Sequence, residues 1–543
     1  MTSGRTVVDI GSVGDPSARR DRQSRGTTPR APWWLWAGAL AIVLPLAIAI
    51  LALGLRVFDA TDAAWNTLLS SRTLSLIWRS FLLTTLVTVS ATMIGVAGAW
   101  LLSRTDIAFR RVWGVLFTLP LVIPSYVIAM VLISSTGRRG LISEAVGFEI
   151  PSLVGLPGAW LALTLSTYPF VYLITSAAMH RTDPALEEAA RGLGASPTRV
   201  FRTVTLPQLR VAIGAGALLA ALYTLSDFGA VSLMRFDAFT RVIYAQYSGR
   251  LDRTPAIVLS LALIVIAGVI IWAEYRTRGR GTVFSKTPNR HYTMHHITGM
   301  RRVAALGSLS LVVVVGTVLP LGVLTAWVVR GISNGAVVSI PWNAVFGSLS
   351  GAGLAAVVAV VFTIPIVVLS VRYPSRLTTL LERSVFVTFS LPHITIAIAV
   401  VAFTVTWLTP VYQSMLVLIV VYASMFIAQS VSSAKASLLQ VNPQVEDASR
   451  SLGRGPLATL TKVTIPLMKK GLLAGGALVF VTTLKELPVT LLLSPPGFST
   501  LAVRTWAAAD ELLYARAAMA ALILIAMSVI PVYYLSIKPR EVS

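Results

Sequence analysis

Continuous apolar runs of membrane-spanning length constrain this chain more than any other feature of its sequence. Twelve can be read, at 33–55, 81–103, 112–134, 158–180, 211–233, 255–273, 303–329, 344–371, 384–408, 413–433, 471–493 and 514–536. About 20 apolar residues wound as a helix cross the roughly 30 Å hydrocarbon core of a bilayer, where only helices and closed barrels satisfy their backbone. The runs are unbroken and lack the alternation of barrel strands. The expected fold is therefore an all-α integral membrane protein with about 12 transmembrane helices. Composition agrees, since 12% of the 543 residues are charged, against about 25% in soluble chains.

The formal charge of +23 raises the question of nucleic acid. A nucleic-acid binder gathers Lys and Arg on a polar face or arm. Here they flank the apolar runs, as topology signals do, so lipid is the expected surroundings and nucleic acid is not an expected partner. With both termini in the cytoplasm, the inner segments hold 32 of the 45 Lys and Arg and the outer segments 11, with Lys485 and Arg516 inside runs. That bias predicts two cytoplasmic termini. Residues 1–32 read as a disordered tail and 537–543 as a short second one. Trp33, Trp34 and Trp36 read as an interfacial anchor rather than part of a cleavable signal. Between the halves 33–273 and 303–536, the basic segment 274–302 reads as a cytoplasmic linker. Its His291, His295 and His296 lie at spacings a helix could gather, yet in a basic linker they read as solvent-facing, and no metal site is firmly assigned. A chain without cysteine has no disulfide, thiolate ligand or cysteine nucleophile.

The two halves repeat. Asp183-Pro-Ala-Leu-Glu-Glu-Ala-Ala-Arg-Gly-Leu-Gly194 follows the fourth run, and Asn442-Pro-Gln-Val-Glu-Asp-Ala-Ser-Arg-Ser-Leu-Gly453 follows the tenth. They align without a gap, and the match continues to Val204-Thr-Leu-Pro207 and Val463-Thr-Ile-Pro466. Each copy has the marks of a short helix: Asp183 or Asn442 as cap, proline at the first position, and Glu187, Glu188, Glu446 and Asp447 near its positive end. Ala189, Ala190 and Ala448 offer a narrow face for close approach by another protein, and Gly194 and Gly453 permit the terminating turn. A capped loop helix explains one copy; two matched copies on one side of the membrane point to docking.

These segments resemble the EAA loop of binding-protein-dependent ABC importer permeases: Glu-Ala-Ala, three residues, Gly, nine residues, then Ile-x-Leu-Pro. Glu188-Ala189-Ala190 and Gly194 fit; the second copy departs at Asp447-Ala448-Ser449 and keeps Gly453. The resemblance implies two six-helix permease repeats in a bacterial cytoplasmic (inner) membrane, and coupling helices seated on two copies of a separate ATPase. It also implies an external substrate-binding protein. ATP would be used by the partner, with no cofactor bound in this chain, which lacks a Gly-Lys-Ser or Gly-Lys-Thr phosphate loop.

Charges within spans usually face a protein interior or a water-filled path. Asp227, in Ser-Asp-Phe-Gly, and Glu486, in Lys-Glu-Leu-Pro, occupy matching positions of the repeat. Each lies about 16 residues, roughly 24 Å of helix, beyond the cytoplasmic end of its span. They read either as carboxylates lining the outer part of a cation path or as structural groups, Glu486 neutralised by Lys485 and Asp227 capping a break near Gly229. These signatures resemble the fused permeases of ferric-iron importers, as does Leu119-Pro-Leu-Val-Ile-Pro124 beside Leu391-Pro-His-Ile-Thr-Ile396. Related permeases for thiamine and aminoethylphosphonate share much of this text. Oxygen donors suit a hard cation, which favours ferric iron. An ion-gradient-driven transporter would explain repeats and buried acids but not the two Glu-Ala-Ala-like helices. A membrane enzyme is disfavoured because His180, at a span end, and His393, alone in a span, form no catalytic cluster; His393 beside Pro392 reads as a packing or hydrogen-bonding residue rather than a ligand.

Overall fold

A computed structural model describes residues 31–56, 65–66, 68, 70–138, 140–180, 182, 184–249, 252–277 and 294–537. His291, Asp183, most of the linker and nearly all of both tails lie outside these residues. The regular structure of the described chain is helical, apart from an isolated bridge between Thr105 and His295. Ten of its helices are long and apolar enough to cross a membrane, and two bent helix pairs bring the number to twelve. All twelve expected runs are found among them.

Proline and buried polar groups account for the departures from straight spans. The third span is the pair Arg110–Leu121 and Ser125–Ser135, bent by 89°, and the ninth is Arg376–Ser390 and His393–Trp407, bent by 107°. Pro124 and Pro392 sit at the bends as the residues before the second helix; proline has no N–H to continue a helix and pushes its predecessor toward extended geometry. The fifth and eleventh runs, expected to be continuous over 211–233 and 471–493, are interrupted. The fifth ends at Ser226 and restarts as Gly229–Leu233; the eleventh ends at Leu484 and restarts as Pro488–Leu493. Both spans begin with a π-helical turn, Phe201–Thr205 and Leu460–Thr464, just before Pro207 and Pro466, where a missing N–H favours such a widened turn. The second helix, Ser71–Arg104, starts earlier than its apolar run because Arg72 and Arg79 obscure its first turns to hydropathy.

The sequence halves are not independent packing units. Leu35, Ala39, Ile42 and Leu46 of the first span are buried with Ala355, Ile394 and Val421 of the second half. There Ser424 donates a hydrogen bond to the Ile42 carbonyl at 2.8 Å. Reciprocally, Leu309 and Leu324 of the seventh span and Ala517, Ala521 and Leu524 of the twelfth join Leu83, Val127 and Tyr168 of the first half. Apolar burial therefore ties the halves together through exchanged helices.

The end of the linker is docked rather than free. The His295 N–H donates to the Arg104 carbonyl at 2.8 Å, and the Ile297 N–H to Asp106 Oδ1 at 3.0 Å. The His295 ring is half-buried with its centre 6.0 Å from that of Trp100, which corrects its solvent-facing expectation. His296 is exposed and pairs with Asp106 at 3.0 Å.

Candidate functional site

The repeated segments form two matched helices, Pro184–Gly192 and Pro443–Ser451. Asn442 caps the second by accepting from the Gln444 N–H at 3.0 Å. Both end alike, with Gly194 at φ +80° and Gly453 at φ +81°. Ala195 N–H donates to the Ala190 carbonyl at 3.1 Å, and Arg454 N–H to that of Ser449 at 3.3 Å. A left-handed glycine followed by this six-to-one bond closes the last turn, and a side chain there would be strained. Glu188, Ala189, Asp447 and Ala448 are exposed and Ala190 is half-buried. Ser449 turns inward to Thr459 at 3.2 Å, so that departure from the motif serves internal packing. The outer surface carries apolar residues at matching positions: Leu186 and Val445 are exposed, and Leu193 and Leu452 are 89% and 81% exposed.

Glu187 and Glu446 face the other way, at 3% and 4% exposure. Arg104, at the end of the second span, places Nη2 3.3 Å from Glu187 Oε1 and also bonds the Met179 carbonyl and Thr182. Thr205, at the start of the fifth span, donates to the same carboxylate oxygen at 3.0 Å. The second half repeats the design: Arg372 Nε lies 3.0 Å from Glu446 Oε2, and Thr464 donates to Glu446 Oε1 at 3.0 Å. Of each adjacent acid pair, the first fastens the helix to two spans and the second is presented outward. A buried carboxylate held by an arginine and a hydroxyl is rigid, so displacement of either helix is carried into its spans.

The intramembrane carboxylates also form a related pair. Asp227 caps the short helix beyond its break, accepting from the Ala230 N–H at 2.9 Å, and accepts a hydrogen bond from the Ser125 hydroxyl. Glu486 accepts from the Val489 N–H at 3.2 Å, and its other oxygen lies 2.8 Å from His393 Nδ1. Ser125 and His393 are each the first residue after the proline bend of their half. Pro124 therefore corresponds to Pro392, a different register from the Leu-Pro alignment suggested by the text alone. His393 partners Glu486 instead of standing alone, and Lys485 does not supply that neutralisation: its ammonium donates to the Leu121 carbonyl of the opposite half at 3.0 Å. At Gly229 a Cβ would come 2.8 Å from Tyr126 Cβ and 3.2 Å from Leu487 Cδ2, so the breaks of the two halves meet closely.

Sequence reasoning missed Arg104, Arg372, Thr205, Thr464, Ser125 and His393 as partners, and Leu193 and Leu452 as outward apolar groups. The threonines share the offset of the repeated acids and were within reach. The arginines and bend residues share a second offset, nine residues larger, which an ungapped comparison does not reveal.

Two interlocked helical halves, each with an outward-facing capped helix and a carboxylate at a broken span, define a two-repeat membrane permease. The sequence model of the binding-protein-dependent transport system inner membrane component family matches residues 91–273 and 363–537, one segment in each half, and the chain belongs to this family. It is a multi-pass membrane protein. It is 32% identical over 511 residues, 93% of this chain and 98% of the other, to the Fe(3+)-transport system permease protein FbpB 2 of Haemophilus influenzae. The ferric transport system permease protein FbpB of Actinobacillus pleuropneumoniae is 26% identical, covering 74% of this chain and 62% of that protein. The molybdenum transport system permease protein ModB of Escherichia coli is 34% identical over 31% of this chain and 71% of its own length.

Proposed function

We propose that this chain is the transport-path subunit of an ABC importer for ferric iron, with iron supplied by an external binding protein and energy by a separate ATPase. The observation that carries the cargo is the alignment of nearly the whole chain with a ferric permease. The carboxylates at both span breaks suit a cation and disfavour an oxyanion such as molybdate. Pro184–Gly192 and Pro443–Ser451 serve as coupling helices, one for each of two ATPase copies. Glu188 and Asp447 with Leu193 and Leu452 form the contact, while Glu187 and Glu446 hold each helix in place. Exposed large apolar side chains on short polar helices support this assignment, because such groups gain by burial against a partner. The Lys and Arg bias supports a cytoplasmic side for these helices, the linker and both termini. ATP is used by the partner and this chain binds no cofactor.

The test is uptake of labelled ferric iron in cells depleted of this protein, with thiamine, aminoethylphosphonate and molybdate in parallel. Selective loss of iron uptake supports the reading. Normal iron uptake with loss of another solute retains the importer and discards the cargo.

A further inference from the structure

We propose that Tyr244, Trp506 and Phe228 form the outer gate of the transport path, shut in this conformation and opened when two seam-crossing helices part. This rests on the importer reading above and is independent of which solute is carried. Helices Phe239–Gly249 and Leu501–Asp510 follow the broken fifth and eleventh spans. They lie at the far end of those spans from the coupling helices, since the 21 residues of Leu206–Ser226 extend about 30 Å. Each carries the chain across the seam. Leu209 and Phe228 are buried with the first half, whereas Phe239, Ile243 and Leu263 are buried with Ile394 and Val401 of the second. Likewise Met468 and Val479 are buried with the second half, whereas Leu501, Trp506 and Ala521 are buried with Leu83 and Val127 of the first.

The two crossing helices are equivalent parts of the repeat. The Phe239 N–H donates to Ser80 Oγ at 3.1 Å and the Leu501 N–H to Ser348 Oγ at 2.8 Å. Ser80 and Ser348 share the larger offset that relates Arg104 to Arg372. Arg235 and Gly497, both at positive φ, stand four residues before these anchored positions. Tyr244 and Trp506 stand five residues after them, and their rings meet edge to face with centres 6.1 Å apart. Matching residues of a two-fold pair touch each other only near the axis that relates them, and the path of a two-repeat transporter runs between its repeats. Phe228, 1% exposed, completes the plug, its ring centre 4.8 Å from that of Tyr244 and 5.6 Å from that of Trp506. It directly follows Asp227, so parting the rings opens the way to the carboxylate at the break. An apolar constriction excludes water and ions, and ring contacts at these distances are weak enough to give way when the halves move.

The chain has no cysteine, so thiol reagents address only introduced positions. Tyr244→Cys with Trp506→Cys is tested in proteoliposomes holding the assembled permease, ATPase and binding protein. A short bis-methanethiosulfonate should join the two thiols at rest and stop iron uptake, and reductant should restore it. Each single variant, treated alike, should keep its uptake. Joined thiols with full uptake overturn the gate, as do thiols that react with a monofunctional reagent yet never join. Should loss of both rings by itself prevent assembly or uptake, Ala245→Cys with Ala507→Cys keeps the rings and gives the same readouts with a longer reagent. If the unmutated transporter moves no iron, the cargo reading falls and the gate is judged by joining alone. The yield of joined thiols should then drop during ATP turnover with binding protein, and an equal yield overturns the gate.

Discussion

Glu187→Gln should loosen the first coupling helix from the membrane domain without altering the surface shown to the ATPase. The substitution leaves the Arg104 guanidinium, 3% exposed, without its counter-charge. Removing one partner of a buried pair costs about 3–5 kcal/mol. Arg104 keeps the Met179 carbonyl and Thr182 as partners, so the lower end, about 3 kcal/mol, is expected. That corresponds to a shift of roughly 150-fold in the docking equilibrium of the helix. The assay has two readouts in proteoliposomes: iron imported per ATP hydrolysed, and the rate of tryptic cleavage after Arg191, which lies on this helix. Glu187→Gln should lower the first and raise the second. Glu188→Gln should lower transport while cleavage stays slow, because Glu188 is exposed. Arg104→Met with Glu187→Leu, which removes both charges, should recover much of the protection against trypsin. If Glu187→Gln matches the unmutated protein in both readouts, the buried pair is not what holds the helix.

Asp227→Asn and Glu486→Gln retain an oxygen for the Ala230 and Val489 N–H groups while removing charge, so folded protein should persist and iron uptake should fall; unchanged uptake would make both acids purely structural. Leu193→Ser with Leu452→Ser should weaken copurification of the ATPase without affecting membrane insertion, and equal recovery of the ATPase would remove these residues from the contact. Burial, then the Arg191 guanidinium, with Glu187 opposing and Arg104 adding, holds the His295 imidazole below its ordinary value of 6.5. The undocked linker therefore takes up the proton more readily, so docking is at full strength above about pH 6.5 and weakens as pH falls. Hydrogen exchange of the 294–298 amides should rise between pH 7.5 and 5.5 after correction for the intrinsic rate, and His295→Gln should abolish that dependence.

The outward acids, the terminating glycines and the matched intramembrane carboxylates were legible because each is a residue type at a repeated spacing. The direction of each side chain was not. Glu187 and Glu188 are neighbours of one type, and a helix turns about 100° per residue, so one lies under the helix and the other outside it. Which is which depends on where Arg104 and Thr205 arrive, and they come from different spans. His393 could likewise be assigned to Glu486 only once the bend at Pro392 and the break before Pro488 had brought them together.

Local composition and the internal repeat determined the membrane solvent, the number of spans, the family resemblance and the ends of the two repeated cytoplasmic helices. These follow from short-range rules: backbone satisfaction in hydrocarbon, caps, prolines and glycines. The exchange of first and seventh spans between halves, the inward turn of Glu187 and Glu446, and the meeting of both broken spans at Tyr126 and Gly229 were decided by tertiary structure. They depend on contacts between segments far apart in the chain, and apolar side chains alone are too alike in chemistry to encode which of many apolar helices they will pack against.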